Sequence, residues 1–292
     1  MRVMNNLVHR PALGLWALIA VVSPSAEVLC QLVAGAVPDW LLWFRLAVLI
    51  AILAVGFLVE QARTLRGFCF AYGFQLIVVA VLKAARNSSG GYQVLFSRHS
   101  FVGGQLFVFS VLLAILAPAI VWFLRHPHRF YLRIGDVSAA LEPAWMRIKD
   151  RPLRWNVVGP VFGLFGAICV WIFLSLEGPS VPKPLTMIPW AIVLGSINAF
   201  TEEFLYRNAL VPAVQERFGT QHALIASAAI FGIGHWNGLP AGPVGVLMTS
   251  ALGYVAGKAM IETKGTFWPW FMHALPDCVL FYYWGIGAAA HG

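Results

Sequence analysis

The chain is 292 residues long, with 60% of them apolar and only 11% charged, against about 45–50% and about 25% in a soluble globular chain. So little charge cannot cover a water-facing body of this length, which excludes an ordinary cytosolic enzyme, a disordered chain and a disulfide scaffold; the solvent for most of the protein is lipid. The formal net charge of +8 comes mainly from loops between long apolar runs and not from one basic face, so the partner it implies is a bilayer, with no nucleic acid.

A helix needs about 20 apolar residues to cross the hydrocarbon. In chain order the apolar runs are 11–37, 40–59, 67–82, 101–124, 157–176, 185–211, 223–235, 243–260 and 267–284. They predict an all-α polytopic membrane protein with eight or nine transmembrane helices, the third and seventh short enough to be partly re-entrant. Arg2 and Arg10 precede the first run, and Ser23-Pro24-Ser25-Ala26 within it has the form of a signal-peptide cleavage site. The run continues to Val37, so the expectation is an uncleaved first helix.

Arg2, Arg10, Arg63, Arg66, the 125–156 stretch, Arg217, Lys258 and Lys264 fall on one side of this arrangement. Asp39, Glu177 and Lys183 fall on the other, and loop 83–100, with Lys83, Arg86 and Arg98, is the exception. An excess of Lys and Arg marks cytoplasmic loops, which predicts an integral membrane protein with a cytoplasmic N-terminus. Stretch 125–156 is the only polar segment long enough to be a joint. The expected organisation is a four-helix membrane unit over 1–124, a basic cytoplasmic connection over 125–156, and a C-terminal core over 157–292.

Ionisable groups at membrane depth cost about 2.5 to 3.5 kcal/mol on insertion scales, so each needs a reason. Glu27 reads as a satisfied structural acid, and Arg45 has a stem long enough to snorkel to the interface. The C-terminal half is richer, with Glu202-Glu203-Phe204-Leu205-Tyr206-Arg207, Phe231-Gly232-Ile233-Gly234-His235 and His273-Ala274-Leu275-Pro276-Asp277 all inside apolar runs. Glu203 and Arg207 are four residues apart and share a helix face, as an ion pair requires. Glu202 is turned about 100° away from Glu203 and lacks a local cation. His273 and Asp277 again share a face, and Pro276 favours a kink beside it.

At about 1.5 Å per residue, Glu202 lies roughly 13 Å from Val211, His235 roughly 18 Å from Ala223, and His273 and Asp277 roughly 9 and 15 Å from Phe267. In the orientation above, those reference points are all cytoplasmic ends, so the four side chains share one layer. A carboxylate in a water-poor pocket is a usable base near neutral pH, and with a His it can deprotonate a water aimed at a carbonyl while a second His steadies the oxyanion. No Ser belongs to these motifs. The four cysteines each stand alone in an apolar stretch, and Cys278 has an acid, the wrong neighbour for a thiolate nucleophile, beside it.

EExxxR, FxxxH and HxxxN/D in successive helices resemble the CAAX protease and bacteriocin-processing family of intramembrane glutamate proteases, related to the type II CAAX prenyl endopeptidases. The resemblance covers roughly 157–284. It implies an intramembrane endopeptidase that cuts a membrane-anchored or lipid-modified protein by activated water. Glu202 and His235 would activate the water, His273 and Asp277 would form the oxyanion pocket, and Glu203, Arg207 and Phe231 would support the site. Position 277 is Asp where well-studied members have Asn, so Asp277 must be protonated or must instead orient His273. The expected chemistry needs no cofactor. Zinc held by Glu202, His235, His273 and Asp277 is an alternative, although the HExxH spacing is missing. A proton-coupled transporter is the non-enzyme alternative, since intramembrane acids and histidines also build proton relays.

Overall fold

The computed structural model describes residues 2–87, 101–142, 147–148, 151–177 and 185–290. Arg98 and Lys183, used above to orient the spans, lie outside the described residues, as do Lys149 and Asp150 of the basic connection. The described chain is almost entirely helical, as its apolar runs require. Its helices are α1 (Arg2–Val22), α2 (Pro24–Ala34), α3 (Leu41–Leu58), α4 (Arg66–Asn87, preceded by a 3-10 turn over Glu60–Leu65), α5 (Phe101–Leu124), α7 (Trp155–Glu177) and α8 (Ile188–Glu203), with a short turn of helix, α6, at Pro127–Phe130. A π-helical turn over Phe204–Ala209 follows, then α9 (Leu210–Phe218), α10 (Thr220–Gly234), α11 (Gly242–Thr263) and α12 (Phe267–Ala290). Two-residue strands β1 (Arg147–Ile148) and β2 (Arg151–Pro152) form a small antiparallel pair in the connection.

Among the described residues, five helices are long and apolar enough to cross a membrane, and the pair α1–α2, bent by 50°, makes a sixth if it counts as one span. Neither α8 nor α12 is among them. α8 is only 16 residues long and ends in Glu202 and Glu203, and α12 carries His273, Pro276 and Asp277 within its apolar stretch. The residues that make the C-terminal half interesting also lower its hydropathy.

The chain forms two compact units, residues 1–80 with 205–254 and residues 81–204 with 255–292. In the first, the break between α1 and α2 follows from Pro24, which donates no N–H, and Ser23 caps the new helix through the Ser25 amide. Arg45 on α3 secures the break. Its side chain is 2% exposed, donates to the Val22 carbonyl and, at 2.8 Å, to the Tyr72 hydroxyl on α4, and pairs with Glu27 on α2. The snorkelling expected of Arg45 therefore does not occur, because partners inside the unit satisfy it. Trp16 donates to His222 Nδ1 at 3.2 Å, and Gln31 and Asn237 exchange amide hydrogen bonds, which lay α1 and α2 against α10 and its C-terminal turn.

In the second unit, segment 131–141 straps the start of α12. Thr266 donates its N–H to Arg133 O and its hydroxyl to Tyr131 O, both at 2.7 Å, and Trp268 Nε1 donates to Val137 O at 2.9 Å. Gly135, at φ +81°, passes against Gly265 so closely that neither can carry a Cβ. Asp136 accepts the Ser138 hydroxyl and amide, chiefly the hydroxyl, and is held below the usual carboxylate range. Further along, Gly159 and Gly163 of α7 admit Trp268, Met272 and Leu275 of α12, the small-residue contact that lets membrane helices approach closely.

Arg45→Ala removes the bond to the α1–α2 break and leaves the Tyr72 hydroxyl without its donor. We expect a loss of about 2 kcal/mol, read as a lower unfolding temperature in detergent. Glu27→Gln costs less, because Glu27 is 42% exposed; equal unfolding temperatures for Arg45→Ala and wild type would contradict this role.

Candidate active site

α8 and α12 cross at Gly195, where a Cβ would lie 2.6 Å from Cys278 N and 2.9 Å from Asp277 C. Glycine is needed there for that close approach. Trp270 Nε1 donates to Ser196 O at 3.0 Å and fixes the same crossing. With the two backbones this close, the polar residues on the facing sides meet.

His273 is 3% exposed and Glu203 fully buried. His273 Nδ1 lies 2.8 Å from Glu203 Oε1. A carboxylate only accepts, so Nδ1 carries a proton, and Glu203 fixes the ring's orientation. The opposite nitrogen, Nε2, faces Glu202 Oε2 and Asp277 Oδ2, each at 3.6 Å. Both distances are too long for a direct hydrogen bond. Asn198, one turn before Glu202 on α8, donates to Glu202 Oε1 at 3.2 Å and to Asp277 Oδ2 at 2.9 Å. Glu202 Oε2 is buried and receives no protein hydrogen bond among the described residues. The Glu202 side chain keeps 28% exposure. The second unit thus gathers Glu202, Glu203, His273 and Asp277, joined by Asn198.

Arg207, Phe231 and His235 gather in the first unit. Arg207 is fully buried, with its guanidinium 4.2 Å from the Phe231 ring centroid, a cation–π contact, and 5.9 Å from that of Tyr206. Gly253 leaves room for both, since a Cβ there would stand 3.2 Å from Arg207 Nη2 and 3.3 Å from the Phe231 ring. His235 follows the last residue of α10 with φ −94° and ψ 15°, the bridge region that many active-site residues occupy. Its Nδ1 is 2.8 Å from Phe231 O. The carbonyl can only accept, which places the proton on Nδ1 and the lone pair on Nε2. Phe231 therefore serves Arg207 with its ring and His235 with its carbonyl.

Two features escaped the sequence reading. Asn198 is a polar amide in an apolar helix, four residues before Glu202, and a search for amides alongside ionisable groups would find it. The π-helical winding over Phe204–Ala209 begins directly after the Glu pair, whereas the face assignments above assumed 3.6 residues per turn throughout. Single π-turns occur frequently at functional sites. Among the described residues, no group of three or more His, Cys, Asp and Glu side chains is placed to hold a metal ion.

Gly195→Ala should force α8 and α12 apart at the site, with at least a tenfold loss of any hydrolytic activity and a lower unfolding temperature. Gly166→Ala is the control, since its Cβ meets Pro276 only at an ordinary 3.7 Å. Equal behaviour of the two variants would contradict the importance of the crossing.

Residues 184–279 match the family model described as "Type II CAAX prenyl endopeptidase Rce1-like". No curated protein and no solved structure gives a significant match. The matched segment contains all three motifs, and the long apolar helices support an integral membrane protein. The likeness to the type II CAAX prenyl endopeptidase Rce1-like family thus extends over residues 184–279, the part of the chain that carries the three motifs.

Proposed function

We propose that the chain is an intramembrane endopeptidase that hydrolyses a peptide bond of a lipid-modified or membrane-anchored protein near the cytoplasmic face, with Glu202 as the general base. The observation that carries this reading is the state of the Glu202 carboxylate. Oε1 is held by Asn198, while the buried Oε2 receives no protein hydrogen bond and faces an oriented imidazole. An acceptor left in that state is suited to take a proton from water.

In the proposed step Glu202 Oε2 takes one proton from a water molecule, and the water oxygen forms a bond to the scissile carbonyl carbon. The carbonyl π electrons move to oxygen, and the oxyanion accepts a hydrogen bond from His273 Nε2–H, a role that requires His273 as an imidazolium with Nδ1 still donating to Glu203. The intermediate then collapses, the C–N bond breaks, and the leaving nitrogen receives the proton from Glu202. His273 can serve only if its ring is fixed, which the Glu203 hydrogen bond supports. Asp277 stands at the other nitrogen of His273, so the orienting bond on Nδ1 belongs to Glu203 and not to Asp277. For His235, the family motif suggests a share in activating the water, and the lone pair on its Nε2 suits that role. The mechanism proposed needs no metal.

The test uses purified protein in lipid vesicles with a farnesylated CAAX peptide. Glu202→Gln should lower turnover by about 10²–10⁴-fold, the usual worth of a general base, and wild-type turnover should survive a strong zinc chelator. Undiminished turnover in Glu202→Gln would overturn the role of Glu202. Stoichiometric zinc lost together with activity would replace the metal-free mechanism with a metallo-type one. Proton-coupled flux that depends on Glu202, in protein that cleaves no peptide, would favour the transporter.

A further inference from the structure

Four side chains from two helices close a ring in the second unit. Asn198 Nδ2 reaches Glu202 Oε1 at 3.2 Å, Glu202 Oε2 faces His273 Nε2 at 3.6 Å, that nitrogen faces Asp277 Oδ2 at 3.6 Å, and Asp277 Oδ2 returns to Asn198 Nδ2 at 2.9 Å. Asn198 and Glu202 are four apart on α8, and His273 and Asp277 are four apart on α12. Each helix therefore offers its pair from a single face. Turning the amide over would set its carbonyl oxygen against two acceptor oxygens, so the orientation with Nδ2 inward is the one the chemistry selects.

Asn198 is the neutral member of this ring, and it spends one amide hydrogen on each carboxylate. Without it, Glu202 Oε1 and Asp277 Oδ2 would lose a shared donor in a setting where water supplies a poor substitute. The Glu202 side chain has several rotamers, and only a tether on Oε1 leaves Oε2 aimed at the His273 side.

We propose that Asn198 is a positioning residue of this site, its amide clamping Glu202 to Asp277 so that Glu202 presents Oε2 beside His273. The inference rests on the endopeptidase reading for its consequence, though not for its geometry. It makes a demand that a merely structural asparagine would not: the ring needs one amide donor between the two helices, and the side from which it comes is secondary. Asn198→Asp should destroy the clamp by setting a third acceptor against two others, and adding Asp277→Asn should restore a donor from the α12 side.

The experiment measures kcat and KM on the farnesylated CAAX peptide in vesicles. The variants are Asn198→Ala, Asn198→Asp, Asp277→Asn and the double variant Asn198→Asp/Asp277→Asn. Misplacement of a catalytic group by about 1 Å can cost about 100-fold, so Asn198→Ala should lower kcat by about 10–100-fold with KM within about twofold. Asn198→Asp should be lower still, and the double variant should regain at least about tenfold over it. Wild-type kcat in Asn198→Ala, or a double variant no better than Asn198→Asp, would overturn the proposal. If wild type leaves the peptide uncleaved, the endopeptidase reading fails for that substrate, and unfolding temperatures still decide the clamp. Non-additive effects of Asn198→Ala and Asp277→Ala would support it, and additive effects would overturn it.

Discussion

The hydrogen bond from His273 Nδ1 to Glu203 Oε1 is the interaction on which the second unit's polar site depends. It joins two nearly inaccessible side chains at 2.8 Å, and its direction decides what the other nitrogen of the ring can do. With Nδ1 committed as donor, Nε2 turns to Glu202 and Asp277, and both acids become defined relative to one imidazole. Removing Glu203 would free the ring to rotate, and the distances to Glu202 and Asp277 would lose their meaning. The glycine at 195 is the backbone condition for this bond, because only without a Cβ do α8 and α12 come close enough for the side chains to meet.

The same logic operates in the first unit with different chemistry. Arg207 is buried on the face of Phe231, and the carbonyl of that residue holds His235. Away from the motifs, Arg45 gathers a helix break, a carboxylate and a phenol. Lipid provides no hydrogen bonds, and the buried Arg45, Glu203 and His273 are each answered by another part of the protein. The answering groups fix geometry as a consequence. In this chain the scarcity of charge makes every buried charge informative.

Much of this was legible in the sequence. The apolar runs correspond to the helices, because hydropathy and the need to satisfy backbone groups in lipid leave few alternatives. Glu202, Glu203, His273 and Asp277 announced themselves as costly residues in apolar surroundings, and the helix period placed His273 and Asp277 on one face. Other features were not legible. The contact between Glu203 and His273 links positions 70 residues apart and depends on how two helices cross. Asn198 was silent because a neutral amide carries no insertion penalty large enough to draw attention. The π-turn and the bend at Ser23 depend on packing and capping, which hydropathy does not register, and both change which residues share a face. The interleaving of the two units along the chain is equally invisible to a reading made in chain order.

The central claim is that Glu202 hydrolyses membrane-bound protein substrates, and the most direct measurement is a comparison of the peptides in membranes from cells expressing wild-type protein or Glu202→Ala at equal levels. The account predicts that a defined set of lipid-modified or membrane-anchored proteins keeps uncut termini in Glu202→Ala membranes and loses them in wild type. Identical peptide sets in the two membranes would contradict it.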